Sequence, residues 1–144
     1  MIEQDTVKLL RECDAGVKMG IRSIEDVLPH VKETELEETL TASKNEHESI
    51  GREIRTELDK FGDDGKNPNP IASGMSKIKT GMKLAVKESD KTVANLMTDG
   101  CNMGVKSLNK YLNQYEAASE YSKDIAKRLI NLEEKLAVDI REYL

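Results

Sequence analysis

Apolar residues recur at steps of three and four along four stretches of this chain. In the first stretch they are Leu10, Cys13, Val17, Ile21, Ile24 and Leu28. This spacing places the side chains on one stripe of a helix, and such a stripe must be buried against others like it. We therefore predict a first helix over residues 5–28, ended by Pro29, which lacks a backbone N–H and disfavours helix in the preceding residue.

A second helix is predicted from Thr34 to the residues just before Gly62. Thr34 and Glu37 have the spacing of a capping box, in which the hydroxyl and the carboxylate satisfy backbone N–H groups of the first turn. Residues 63–70 then form a polar stretch with two prolines, so we predict a loop there. The stripe of the second helix includes two polar residues and consists of Leu36, Leu40, Ser43, His47, Ile50, Ile54, Leu58 and Phe61.

A short helix is predicted in the long connection that follows, on Ile71, Met75, Ile78, Met82 and Ala85. These residues could instead begin one helix that reaches residue 115, but it would be about 67 Å long at 1.5 Å per residue, which the first helix could not match. We therefore predict a break within residues 87–90. The lysines of this stretch are expected on a solvated face; they are Lys77, Lys79, Lys83 and Lys87.

A third helix is predicted over residues 90–115 and a fourth over residues 119–143. The third stripe contains two glycines, Gly100 and Gly104, which cost helix stability. We interpret them as sites where another backbone or a bulky side chain comes close, with a helix break or clearance for a ligand as the alternatives. The other members of the third stripe are Val93, Met97, Leu108, Tyr111 and Tyr115, and the fourth consists of Ala118, Ser122, Ile125, Leu129, Leu132, Leu136, Ile140 and Tyr143.

These elements predict an all-α fold, an antiparallel four-helix bundle with a short extra helix in the crossover between helices 2 and 3. The length of 144 residues suits one domain, residues 1–144. A net charge of -5 argues against a general nucleic-acid partner or an anionic membrane surface. With no membrane span and no export signal in the sequence, we expect a cytoplasmic protein in which Cys13 and Cys101 are free thiols in the core.

His47 is the first candidate for chemistry, because it lies on an apolar stripe and a buried imidazole needs a partner at each ring nitrogen. Ser43, one turn earlier, is the expected partner, and a ligand or proton-transfer role is the alternative. His30 follows Pro29 in a turn and is expected in solvent.

A helical bundle builds a two-metal site from two Glu residues and two Glu-x-x-His motifs. Lys44 stands three residues before His47, and the fourth helix has no histidine, so this pattern is incomplete. We expect no catalytic residue, cofactor or metal; the weak metal candidates are Glu12, Glu46, His47, Asp99 and Glu133. Most of the carboxylates beside the stripes are interpreted as solvated flanking positions or partners of Lys and Arg; the set consists of Glu12, Glu25, Glu46, Glu133 and Glu134.

Several short motifs resemble a bacterial family of small ferritin-like, rubrerythrin-like bundles of uncharacterised function. They are residues 9–16 with 17–27 after them, the turn 29–35, residues 36–40, Glu57-Leu58, Ser73-Gly74, and Gly104 with Tyr111 or Tyr115. The resemblance spans nearly the whole chain and implies an up-down-crossover-up-down fold. Relatives with iron chemistry carry Glu-x-x-His on helices 2 and 4, and Lys44 replaces that Glu here.

The replacement of that Glu by Lys44 argues against ferroxidase, oxidase and peroxidase activities. We expect a non-catalytic bundle that binds protein, either a second copy as a dimer or another partner, in a stress or stationary-phase setting. One alternative is a metal-binding, di-iron-like redox or iron-handling protein with a degenerate ligand set. Another is a small-molecule carrier that uses space beside Gly100 and Gly104.

Overall fold

Four long helices account for most of the chain in a computed structural model, which describes residues 2–68 and 89–144. They are α1 (Ile2–Val27), α2 (Thr34–Lys60), α3 (Asp90–Gln114) and α4 (Glu120–Asp139), with 3-10 turns at Leu28–His30 and Arg141–Tyr143. No strand occurs in these two ranges. The fold is all-α, as the apolar spacing predicted. The short helix predicted on residues 71–85 and its four lysines lie outside the described residues.

The helices pack side by side. The α1 helix contacts α2, α3 and α4, while α4 also contacts α2 and α3. Near the start of α1, the guanidinium of Arg11 pairs with Asp63, just after α2, at 2.9 Å. At the opposite end of α1, backbone N–H groups of Lys32 and Glu33, just before α2, donate hydrogen bonds to Asp90, the first residue of α3. The α3 helix begins at Asp90 behind the Ser89 cap, which confirms a helix boundary within residues 87–90.

The predicted stripes of α2 and α4 are confirmed for most positions. All residues of the α2 stripe from Leu36 to Leu58 are buried, and so is the α4 stripe from Ala118 to Ile140. The last member of the α2 stripe was predicted wrongly: Phe61 lies beyond the final turn and is 40% exposed. The prediction for His30 also changes, because the residue is only partly exposed.

The stripe predicted for α3 is wrong in its middle. Gly100 is exposed, and a Cβ atom there would meet nothing within 4 Å. Cys101 is buried instead, in line with Val93 and Met97 at steps of four. Gly104 is half-buried, and a Cβ atom on it would be in ordinary contact with Glu133, 3.7 Å from Cδ. Close packing around Gly100 is therefore excluded. Both cysteines are free and buried, as predicted.

The predicted capping box at Thr34 is also wrong. The N-cap of α2 is Glu33, with no capping hydrogen bond from its side chain. The carboxylate of Asp90 lies at the start of α2 and accepts hydrogen bonds from the backbone N–H groups of Lys32 at 2.8 Å and Glu33 at 3.0 Å. A carboxylate at a helix start satisfies orphan donors and complements the helix dipole. This acceptor comes from α3, so no local pattern around Thr34 could identify it.

The chain leaving α2 is held against α1 by a buried carboxylate. Asp14 is only 5% exposed; its Oδ2 accepts the backbone N–H of Lys66 at 2.9 Å and the ammonium of Lys18 at 2.8 Å. Gly65 adopts φ +87°, and a Cβ atom there would lie 2.3 Å from Asp14 Oδ2. The loop therefore needs glycine at residue 65 for both its backbone angle and its space.

The apolar core among the described residues consists of two clusters. The lower cluster contains Leu9, Leu10, Cys13, Val17, Ile50, Ile54, Leu58, Leu108, Ala118, Ile125, Ala126, Leu129, Ile130 and Leu132. The upper cluster contains Ile24, Val27, Leu36, Leu40, Val93, Met97, Cys101, Leu136 and Ile140. Each helix passes from one cluster to the other near its middle. We call the residues at this crossing the polar layer; they are Gly20, His47, Gly104 and Glu133.

Candidate functional site

The polar layer is centred on the imidazole of His47, whose exposure is 0%. Nδ1 lies 2.8 Å from the backbone carbonyl oxygen of Ser43, and Nε2 lies 2.8 Å from Oε1 of Glu133. The Ser43 hydroxyl is more distant, 3.5 Å from Nδ1. The predicted partner is therefore correct in residue, but the main contact is with the carbonyl of Ser43.

These two contacts determine how many protons the site holds. A carbonyl oxygen only accepts hydrogen bonds, so Nδ1 of His47 must carry a proton and donate it to Ser43. The contact of Nε2 with Glu133 then requires a second proton between the two atoms, on either the ring or the carboxyl. The hydrogen bond and charge of Glu133, the carbonyl of Ser43 and the charge of Glu46 raise the pKa of His47 above its ordinary value, although burial opposes them. The favoured state is thus an imidazolium paired with a carboxylate.

Most carboxylates beside the stripes were predicted to be solvated or paired with Lys and Arg, and Glu133 is an exception. The residue is only 8% exposed, and its carboxylate points into the core toward His47. It also faces the thiol of Cys101 on α3. Burial, together with the charge and hydrogen bond of Glu133, raises the pKa of Cys101. The layer therefore links α2, α3 and α4 through one carboxylate, and it keeps the thiol protonated and weakly nucleophilic.

Gly20 is the residue of α1 that makes room for the imidazole. A Cβ atom at Gly20 would lie 2.7 Å from both Cδ2 and Nε2 of His47, and 3.4 Å from Oε1 of Glu133. Real Cβ atoms essentially never approach so closely, so any larger residue would displace the ring. Gly20 is therefore the helix glycine with the closest approach, and it was not among the predicted ones. Of the two predicted glycines, Gly104 does face a bulky side chain, Glu133, whereas Gly100 faces open space.

The five weak metal candidates do not come together. Glu12 pairs with Lys66 near the loop after α2. Glu46 and Asp99 are exposed. His47 and Glu133 do meet, but both ring nitrogens of His47 are already engaged. Across the described part of the chain, no group of three or more His, Cys, Asp or Glu residues could hold a metal ion. The residues present therefore do not fit a two-metal site of two Glu residues and two Glu-x-x-His motifs.

A groove lies between α2 and α4, beside the polar layer. Its volume is about 260 Å³, and Ser43 and Leu132 are among its lining residues. Three carboxylates line the rim, those of Glu38, Glu46 and Asp139, and Lys135 pairs with Asp139 at 3.3 Å. The side chains that line the groove include no histidine or cysteine that could act as a base or nucleophile.

Met103, on the outer face of α3, is the most exposed of the large apolar side chains in the described ranges. Met103 is 70% exposed. Gly100, one turn earlier, leaves open space beside it. Single exposed apolar residues are common on protein surfaces, but a thioether side chain adapts to varied partners, so Met103 is the position where contact with another molecule is tested most simply.

The sequence identified His47 through its place on a stripe and named Glu133 only as a weak metal candidate, not as the partner of His47. It gave no indication of Gly20 or Asp14. The spacing of Glu133 contained a usable signal, since it stands next to Leu132 and one turn before Leu136 and Ala137. Gly20 is next to Ile21, which the predicted stripe of α1 placed between Val17 and Ile24. An inward glycine facing an inward histidine is a pattern that becomes recognisable only when the helix pairing is known.

Comparison of the chain with protein-family models, curated proteins and solved structures found no match. In the described ranges, no helix is both long enough and apolar enough to span a membrane.

Proposed function

We propose that this chain is a non-catalytic antiparallel helical bundle of ferritin-like topology that acts by binding protein, with a second copy of itself as the first partner to test. The topology is supported by the contacts at the helix ends, where Arg11 meets Asp63 and Asp90 meets Lys32. The resemblance of the short motifs to small ferritin-like proteins points the same way.

The observation that carries the proposal is the closure of the interior polar site. Both ring nitrogens of His47 are engaged within the chain, and Glu133 is engaged by His47 and Cys101. A general base or a metal ligand needs a free lone pair directed at its substrate or ion. The His47 ring has no free lone pair for this, and Glu133 is buried beside it, so the contact with a partner is placed on the outer faces of the helices.

Met103 is the exposed residue that best distinguishes a contact surface from a solvated one. Its side chain projects from α3 beside the open space at Gly100. Burying an exposed methionine against a partner removes apolar surface from water, which stabilises association. A lysine at the same position would place a charge in that contact.

Sedimentation velocity over a range of protein concentrations tests this proposal. We expect the wild-type chain to self-associate, Met103→Lys to be monomeric, and Asn131→Lys to behave as wild type. Asn131 is the matched control because it is exposed on α4 and the substitution adds the same charge. A wild-type chain that stays monomeric, or equal association of both variants, would refute self-association through α3.

The alternative of an iron-handling protein has weaker support from the structure. It would require His47 to abandon Ser43 or Glu133 and a third ligand to enter the layer. Glu133 is the buried carboxylate closest to His47, and it already forms a hydrogen bond with that ring. The metal content of the purified wild-type chain distinguishes an iron-handling protein from a bundle that binds protein.

A further inference from the structure

The polar layer lies at the boundary between the two halves of the core. Along α2, Leu40 belongs to the upper cluster and Ile50 to the lower cluster, with His47 between them. Along α4, Glu133 separates Leu132 of the lower cluster from Leu136 of the upper cluster. The buried contact between α2 and α4 at this height is thus made by a titratable pair, whereas the buried contacts above and below it belong to the two apolar clusters. The ion pair of Arg128 with Glu53 also joins these helices, but at the partly exposed surface.

We propose that the His47–Glu133 contact is a pH-sensitive joint between the upper and lower clusters, closed while it holds its shared proton and loosened when that proton is lost at alkaline pH. Loss of the proton leaves the lone pair of Nε2 facing Oε1 of Glu133. Two buried acceptors at 2.8 Å repel each other, and neither has water to replace the lost bond. The carbonyl of Ser43 prevents a simple tautomer change, because Nδ1 must keep its own proton to satisfy it.

The groups around the joint favour its protonated, closed form. From α2, the charge of Glu46 favours the protonated ring, and from α4, Glu133 does so directly. From α3, Cys101 faces the same carboxylate with a protonated thiol. From α1, Gly20 contributes no charge and leaves no space for a larger side chain. Together these groups place the transition of His47 above its ordinary range, so the joint loosens as the pH rises and not as it falls.

The upper cluster should respond more than the lower one. The lower cluster contains more of the large aliphatic side chains, and two hydrogen bonds join its helix ends: the backbone N–H of Ser119 donates to Oγ1 of Thr6, and that of Ala117 donates to Oδ2 of Asp5. The upper half of α2 is bounded by the groove beside Ser43, where water can reach the pair once the contact opens. Loosening is therefore expected along residues 36–43 of α2 and 136–140 of α4.

Hydrogen exchange followed by mass spectrometry from pH 6 to pH 10, corrected for intrinsic exchange, tests this joint. We expect protection of the upper residues in the wild-type chain to fall with rising pH by up to about tenfold per pH unit, the limit for one linked proton. The lower residues are the internal control and should change less. Equal change in both halves, or no change in either, would overturn the proposal.

Glu133→Gln is the decisive variant, because its amide can donate a hydrogen bond to Nε2 of neutral His47 without a titratable proton. We expect this variant to fold and to lose the pH dependence of the upper half. His47→Leu should also lose it, but that change removes the contact as well as the proton. Persistent pH dependence in Glu133→Gln would show that another group is responsible. Nitrogen-15 NMR of the His47 ring gives an independent readout, and a ring that remains neutral at pH 6 would contradict the imidazolium–carboxylate pair on which the joint depends.

Discussion

Replacing Gly20 with alanine should reveal how tightly the polar layer is packed. The added Cβ atom would lie 2.7 Å from two atoms of the His47 ring, whereas atoms of this kind need more than 3.0 Å. The ring cannot move away freely, since Ser43 holds it on one side and Glu133 on the other, each at 2.8 Å. The substitution therefore either overpacks the layer or breaks one of these two hydrogen bonds.

The magnitude follows from opposing contributions. Overpacking a core costs about 1 to 3 kcal/mol, and a buried polar group left without its partner costs about the same. Alanine is favoured over glycine in a helix by about 1 kcal/mol. Since the clash entails at least one of the two costs and in part both, we expect Gly20→Ala to lower the free energy of unfolding by about 1 to 3 kcal/mol.

Gly16→Ala is the matched control, one turn earlier on the same helix. Its Cβ atom would be 3.7 Å from Cδ2 of Leu129, an ordinary contact, so only the propensity gain of up to about 1 kcal/mol should remain. Urea unfolding followed by circular dichroism at pH 7 gives both values. In a His47→Ala background the cost of Gly20→Ala should disappear. If Gly20→Ala proves as stable as Gly16→Ala, the layer is not packed as described.

Four further changes test other contacts by the same unfolding measurement. Gly65→Ala should destabilise by about 1 to 3 kcal/mol and by more than Gly62→Ala, because both have positive φ but only Gly65 faces Asp14; equal losses would contradict this. Asp90→Ala should cost about 1 to 2 kcal/mol through the N–H groups of residues 32 and 33, whereas exposed Asp99→Ala should be neutral. Gly104→Ala should be tolerated or stabilise by up to about 1 kcal/mol, and Gly104→Leu should destabilise by about 1 to 3 kcal/mol because it pushes on Glu133; a neutral leucine would show an open pocket. Arg128 and Tyr121 lower the pKa of Glu53 to about 2. The stabilisation of the fold by ionised Glu53, screened by partial exposure, is therefore present above pH 4.5 and is lost toward pH 2. Glu53→Gln should make the free energy of unfolding less dependent on pH in this range.

The helices could be predicted from the sequence because each stripe repeats over several turns. Leu36 to Leu58 on α2 and Ala118 to Ile140 on α4 are buried as the spacing indicates. Errors arose where a single residue decided the stripe. On α3, Gly100 and Cys101 are neighbours, and the period alone does not distinguish a glycine on the stripe from a cysteine beside it.

The candidate site could be predicted only in part, since its contacts join residues far apart in the chain. His47 was identified as a buried imidazole, but its partner Glu133 is 86 residues away. An acidic residue beside a helical stripe is usually solvated, so the sequence favours the wrong interpretation for Glu133. The same limit applies at the start of α2, where the acceptor Asp90 is 57 and 58 residues from its donors.

The most direct test of a closed polar interior is the metal content of the wild-type chain, purified without chelator and then exposed to ferrous iron in air. We expect no stoichiometric iron or zinc and no absorbance change, because Ser43 and Glu133 already engage both ring nitrogens of His47. His47→Leu serves as the control and should give the same metal content as wild type. One metal ion per chain, lost in His47→Leu, would contradict the closed interior and favour the iron-handling function.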